Sequence, residues 1–289
     1  DVLIELKSAD TGKVRPILLK PISISSHADL LYNEWELARR KQVEEEGQGE
    51  IGYIHLRAMG TSDYESWARQ YYPVFKRQGL IIDVRYNNGG NIDSWLLSRL
   101  LRKAWFYWQP RVGQPYWNMQ YAFRGHIVVL CNEWTASDGE AFTEGAKRLE
   151  LGKVIGTRTW GGEIWLSRNN PLVDKGMATA AQIGVFTEDG EWLIEGHGVD
   201  PDVVVDNLPH ETFLGRDRQL EAAIDYLKQK IQDEPVETPE PPPYYRRPDA
   251  PLLAPEAKFA PPVEEEAPCL LYTSPSPRDR TRSRMPSSA

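Results

Sequence analysis

The chain has 289 residues, enough for one large or two modest domains, with 40% hydrophobic residues and a net charge of −8. The negative balance argues against a nucleic-acid binder, which would carry a basic face. Cys131 and Cys269 form no disulfide framework, and no apolar stretch is long enough to span a membrane.

In chain order, residues 1–24 alternate. Val2, Ile4 and Leu6 point one way, Thr11-Gly12 supplies a turn, and Val14, Ile17 and Leu19 follow, which predicts a hairpin. A hairpin this short cannot bury a core of its own, so it reads as the end of a domain whose earlier part is absent. The start at Asp1, with no visible signal peptide, fits a piece of a longer protein. Residues 28–46 read as a charged helix with a solvated face, ending in Glu44-Glu45-Glu46.

From Glu50 the pattern changes. Strand GYIHLRAM precedes helix YESWARQYYPVFKR; strand LIIDVRY leads through Asn87-Asn88-Gly89-Gly90 into helix IDSWLLSRLLRKAW; strand HIVVLC precedes a helix that begins at Ser137. Strands alternating with helices predict an α/β domain of stacked βα units. Short strands are expected at KVIGTR, MATAAQIGVFT and EWLIEG, and the amphipathic helix RQLEAAIDYLKQKI closes the fold near residue 231. Most of the 22 prolines follow position 234, a composition that cannot offset the entropy of ordering, so residues 234–289 read as a disordered tail. Its last part, about 269–289, looks like the translation of a sequencing adapter and is set aside, its arginines included.

Three segments can carry chemistry. In IVVLCNEWTASDGEAFTEGAKRL, Ser137 stands where a loop becomes a helix, with its hydroxyl beside backbone N–H groups that lack intrahelical partners. The same Ser137-Asp138-Gly139-Glu140 run fits a capping box, and capping serines far outnumber nucleophiles. In LIIDVRYNNGG, two glycines between strand and helix permit close backbone approach and a freed N–H at Gly90; a plain tight turn explains them as well. No GxGxxG or phosphate-loop motif is present. In GEWLIEGHGVDPDVVVDN, Glu195 lies at a predicted strand end with His197 two residues on. Alone, these read as a surface acid and a structural hydrogen-bonder.

The order of strand-NNGG-helix, TASDGE at a helix head, and GVxPD after a glutamate resembles the C-terminal peptidase domain of the tricorn protease family, relatives of the tail-specific C-terminal processing peptidases. The resemblance implies an α/β fold: a crotonase/ClpP-like core of stacked ββα units over residues 48–233. Residues 1–26 would be the last strands of a PDZ-like module and 27–47 a connecting helix. It further implies Ser137 as nucleophile, the backbone N–H groups of Gly90 and Asp138 as oxyanion hole, and Glu195 as the acid that orients the catalytic histidine through a hydrogen-bonded partner. The family's base histidine lies upstream of the PDZ-like module. None of His27, His55, His126, His197 or His210 stands at the matching place. Gly161-Gly162 occupy the position where the processing branch carries its activating lysine, and Lys153 comes too early, which argues against a Ser–Lys dyad.

By this route amide hydrolysis needs no cofactor or metal. Substrates would be peptides or unfolded proteins, with no nucleic acid and no membrane span. The resemblance implies a homo-oligomer and leaves the compartment between cytoplasm, the favoured one, and periplasm. No Asp or Glu occurs between Asp93 and Glu133, where Trp105, Phe106, Tyr107, Trp108 and Trp117 cluster, so an apolar substrate preference is expected. Two other classes stand beside this one: a crotonase-like acyl-CoA enzyme, and a non-catalytic peptide-binding or assembly module on the same fold.

Overall fold

The computed structural model describes residues 1–243. The predicted hairpin is present, with β1 (Val2–Lys7) antiparallel to β2 (Val14–Leu19) and Val2 opposite Leu19. Helix α1 (Ile24–Glu46) follows, its N-terminus capped by the Ser23 side chain, which accepts the Ser26 N–H at 3.0 Å. The expected solvated face is only part of this helix. Its other side packs, with Val43 buried, the Tyr32 hydroxyl 2.7 Å from His55 Nε2, and Arg39 paired with Asp217.

The remaining elements follow in order: β3 (Ile51–His55), α2 (Thr61–Val74), β4 (Gly79–Asp83), α3 (Asp93–Leu100), β5 (Tyr107–Trp108), β6 (Tyr116–Trp117), β7 (His126–Cys131) and α4 (Asp138–Arg148). Then come β8 (Gly152–Gly156), β9 (Trp165–Leu166), β10 (Ala181–Ile183), β11 (Val203–Val204), α5 (Pro209–Phe213) and α6 (Arg218–Asp233). A five-stranded sheet runs in the order β11-β8-β7-β4-β3, every neighbouring pair parallel. Parallel sheets need cover on both faces, which explains why these strands read as continuous apolar runs. Leu80, Ile82, Ile127, Val129 and Cys131 face Trp67 and Tyr71 of α2, Leu96 of α3 and Phe142 of α4. Ile81, Val128 and Leu130 face Leu220, Ile224 and Leu227 of α6 and Val43 of α1. Burial pushes the Cys131 thiol up to about 12, so it is an inert core group.

The second face is fastened by a buried ionic network. Arg85 is 1% exposed; its guanidinium donates to Asp83 at 2.7 and 2.9 Å and to Asp217 at 2.7 Å. Asp83 also accepts the Tyr53 hydroxyl at 2.8 Å. The end of β4 is thereby tied to the start of α6.

The structure departs from the predicted elements in three places. Helix α3 stops at Leu100 instead of continuing through Trp105, because Asn118 Oδ1 accepts the Trp105 and Phe106 N–H groups at 2.9 and 3.1 Å and draws that backbone into the β5–β6 pair. The predicted strand EWLIEG is not a strand. It keeps one isolated bridge, Phe186 with Trp192, and Ile194 (φ 62°) and Gly196 (φ 74°) turn the chain out of extended geometry. Glu195 therefore stands in a turn. MATAAQIGVFT contributes only the three residues of β10. At the C-terminal end, the Val236 N–H reaches Gln78 Oε1 at 3.1 Å and Arg124 reaches Thr238 Oγ1 at 3.3 Å, so the first residues of the proline-rich segment are tied to the sheet domain. The adapter-like stretch, about 269–289, lies outside the described residues.

Candidate active site

Strands β4 and β7 are parallel neighbours, so the loops leaving their C-terminal ends lie side by side. That edge is where open α/β sheets hold ligands. The loop after β4 carries Asn87–Gly90 and the loop after β7 carries Ser137. Asn87 joins them: its carbonyl accepts the Ala136 N–H at 2.8 Å, its Oδ1 accepts the Gly89 N–H at 2.9 Å, and its Nδ2 donates to the Leu56 carbonyl at 2.7 Å.

Ser137 has φ 53° and ψ −128°, a conformation that side-chain-bearing residues rarely adopt and that costs on the order of 1–3 kcal/mol. It sits directly before α4, whose first N–H groups have no intrahelical acceptors. Gly89 faces it: a Cβ on Gly89 would lie 2.5 Å from Ser137 Cβ and 3.0 Å from its Oγ. At Gly90 a Cβ would overlap the Met59 carbonyl, with which this segment pairs through Asn91 N–H to Met59 O at 2.8 Å. Among the described residues, no acceptor is found for the Gly90 or the Asp138 N–H. The structure thus brings Gly89-Gly90, Ser137 and Asp138 together.

The Asp138 side chain has its own task. Its Oδ2 accepts the Ile92 and Asp93 N–H groups at 2.7 and 3.1 Å and so caps α3. Burial pushes its carboxyl up to about 6, against the pull of those two bonds.

Glu140 fills the carboxylate half of the expected capping box, accepting the Ser137 N–H at 3.0 Å. It does more than the sequence indicated. Fully buried, it also accepts the Gly162 N–H at 2.9 Å, the Gly161 N–H at 2.6 Å and the Thr159 hydroxyl at 2.5 Å. The two glycines at the expected lysine position thus present backbone N–H groups to a carboxylate.

Glu195 is exposed, and its Oε2 accepts the Glu163 and Ile164 N–H groups at 2.8 and 2.9 Å. It lines an apolar cavity of about 390 Å³ with Ile164, Ile183, Val185 and Trp192. Among the described residues no histidine hydrogen-bonds to Ser137 or Glu195. His197 bonds to Asp200 at 2.9 Å, His126 to the Glu234 carbonyl at 2.7 Å, and His55 is spent on Tyr32.

Glu163 escaped the sequence reading altogether. It is 5% exposed, and its Oε2 is buried without a hydrogen-bond partner. Burial, then the charges of Asp138, Glu140, Asp93 and Glu195, pushes its carboxyl up to about 8. Nothing in the run TWGGEIW marks this residue as buried; the signal appears only once the strap folds over Glu140. The aromatic cluster is real but half open: Trp105 is 75% and Trp108 51% exposed, and Arg124 stacks over Trp117 at 4.9 Å.

Compared with known proteins, residues 50–205 match Peptidase family S41. The chain is 37% identical to the tricorn protease of Thermoplasma acidophilum over 213 residues, 73% of its length and 20% of the relative's. It is 34% identical to tricorn protease homolog 1 of Streptomyces coelicolor over 228 residues, 79% of its length and 21% of the relative's. The chain therefore spans about a fifth of these curated relatives. A crystal structure of the tricorn protease superposes on 80% of this chain and 22% of that one, with a TM-score of 0.71 at 34% identity. Among the described residues no helix is long and apolar enough to cross a membrane.

Proposed function

The chain belongs to Peptidase family S41, and on that premise we propose that it carries the nucleophile, oxyanion hole and orienting acid of a serine peptidase acting on peptides or unfolded chains. The observation that carries this reading is Ser137 itself, held at φ 53° before a helix N-terminus with Gly89 against its side chain. Ser137 Oγ attacks the scissile carbonyl and loses its proton to a base. The carbonyl oxygen becomes an oxyanion that accepts hydrogen bonds from the unclaimed N–H groups of Gly90 and Asp138. The tetrahedral intermediate then collapses, the base returns the proton to the leaving amine, and water releases the acyl group by the same path. Losing one oxyanion donor costs roughly 10²–10³ in rate.

The base is a histidine from outside the described residues. Glu195, with one oxygen on the Glu163 and Ile164 N–H groups, has the other left to orient that histidine through a hydrogen-bonded partner. Removing the base from a serine protease costs about 10⁶ in turnover, so the present chain alone is nearly inert, and the working form is a longer homo-oligomeric protein. Peptide hydrolysis by this chain and by the longer protein, with Ser137→Ala as control, tests the reading. Hydrolysis by the longer protein that vanishes in Ser137→Ala supports it; equal rates with and without Ser137 overturn it. Full activity in the chain alone would place the base inside it, with His197 the first suspect.

A further inference from the structure

A capping glutamate needs one hydrogen bond, to the N–H of the residue that starts its helix. Glu140 has four donors on one buried carboxylate, and none belongs to a cation. Oε2 takes the Ser137 and Gly162 N–H groups; Oε1 takes the Gly161 N–H and the Thr159 hydroxyl. A charge buried this way is compensated by backbone dipoles and by the N-terminus of α4, and each bond to it is charge-assisted. The donors come from two separate pieces of chain: the nucleophile, and the strap of residues 159–162 that follows β8.

The strap leads on to the acid. The Gly161 carbonyl accepts the Gly196 N–H at 2.9 Å, and Thr159 Oγ1 accepts the Val199 N–H at 2.7 Å. The next two residues, Glu163 and Ile164, give their N–H groups to Glu195. The Trp160 N–H ties the strap back to the Thr135 carbonyl at 3.0 Å, two residues before Ser137. A continuous set of hydrogen bonds therefore runs from Ser137 through Glu140 and the strap to Glu195. Strained backbone such as that of Ser137 persists only where its surroundings over-determine it, and the Glu140 carboxylate grips the N–H at that residue.

We infer that Glu140 is a positioning residue of the hydrolytic site: its buried carboxylate holds the Ser137 elbow and the 159–162 strap in one register, and through the strap sets where Glu195 stands. The inference deepens the serine-peptidase reading and rests on it for its kinetic consequence, while its structural consequence is independent. Glutamine at position 140 would turn an NH2 group toward two of the four donors, so at least one backbone N–H is left unpaired in the interior.

The experiment compares Glu140→Gln, Thr159→Val and Thr159→Ser in the longer, active protein, with crystal structures of each. Glu140→Gln is expected to lower kcat about 10²-fold through misplacement of the nucleophile, with KM changed less than about threefold. Ser137 should leave the positive-φ region and the strap should shift. Thr159→Val, nearly isosteric, should lower kcat about tenfold, and Thr159→Ser, which keeps the hydroxyl, should restore it. A folded Glu140→Gln variant with wild-type kcat, or with Ser137 still near φ 53° and the strap unmoved, overturns the inference. If Glu140→Gln does not fold, the Thr159 pair decides, and equal kcat in Thr159→Val and wild type overturns it. Loss of activity in Glu140→Gln together with full activity in Ser137→Ala would sink the serine-peptidase reading instead, leaving the crystal structures to judge Glu140.

Discussion

Gly89 and Ser137 contend for one space. A Cβ added at Gly89 would stand 2.5 Å from Ser137 Cβ and 3.0 Å from Oγ, and Gly89 itself is at φ 88°, where a side chain is strained. Both residues lie in loops beyond the ends of β4 and β7, and the atoms an added Cβ would meet belong to Ser137 and Ala136, so a change here acts on the nucleophile before it acts on the sheet. Gly89→Ala in the longer protein is expected to lower kcat/KM about 10²-fold or more while the far-UV spectrum is kept. Near-wild-type rates would mean that the Ser137 side chain steps aside at no cost.

Ser137→Gly should be inactive and yet more stable than wild type. Glycine adopts φ 53° without the steric cost that serine bears there. The gain, about 1 kcal/mol after glycine's own entropy loss, is read by urea unfolding of this chain. Ser137→Ala keeps the strain and should show no such gain. Equal stability of the alanine and glycine variants would show that the elbow holds no strain.

Glu163 makes stability fall as pH rises. Its folded-state carboxyl is pushed up to about 8 by burial, above the ordinary value near 4.5. In that order the native state binds the proton more tightly than the unfolded chain does. The contribution is fully present below about 4.5 and is lost progressively as pH climbs to about 8. Glu163→Gln removes the group, so the stability difference between variant and wild type should widen in the variant's favour from pH 5 to pH 8. Urea unfolding at both pH values checks this. A constant difference would show that the Glu163 carboxyl titrates normally.

The Arg85–Asp217 pair holds α6 to the sheet. Burial alone would push the Asp217 carboxyl up, but the Arg85 charge and hydrogen bond keep it well below the usual carboxylate range. That stabilisation is fully present above the ordinary unfolded value, about 4, and is lost only as pH falls below it. Asp217→Ala leaves the buried Arg85 guanidinium with Asp83 as its one carboxylate, takes the partner of Arg39 and removes the acceptor of the Leu220 N–H at the head of α6. The expected cost is about 3–5 kcal/mol, read as a shift in the urea midpoint at pH 7. A shift below about 1 kcal/mol, the scale of an exposed ion pair, would mean that Asp83 alone compensates the Arg85 charge.

Much of this was legible in the residues. Apolar runs such as LIIDV and IVVLC announce buried parallel strands, because strands covered on both faces cannot alternate. The order of NNGG, TASDGE and GVDPD carried the family resemblance, and the hairpin, α4 and α6 all lie where their patterns place them. What misled was local: EWLIEG has the composition of a strand, yet Ile194 and Gly196 at positive φ fold it into a turn. Trp105 continues a helical pattern, yet Asn118 captures its N–H. Both outcomes depend on partners distant in the chain, which periodicity does not encode.

The sequence by itself determined which segments are buried, that Ser137 heads a helix, and that two glycines follow β4. These are properties of short stretches, set by side-chain apolarity and by the steric freedom of glycine. Only the tertiary structure decided that β4 lies beside β7, and so that Gly89 meets Ser137. It alone decided that Glu140 gathers donors from residues 159, 161 and 162 as well as its own helix head, and that Glu163 is buried unpaired. Strand order and the burial of charge are settled by the free energy of the whole sheet and its two covering layers, and no local window of residues contains that balance.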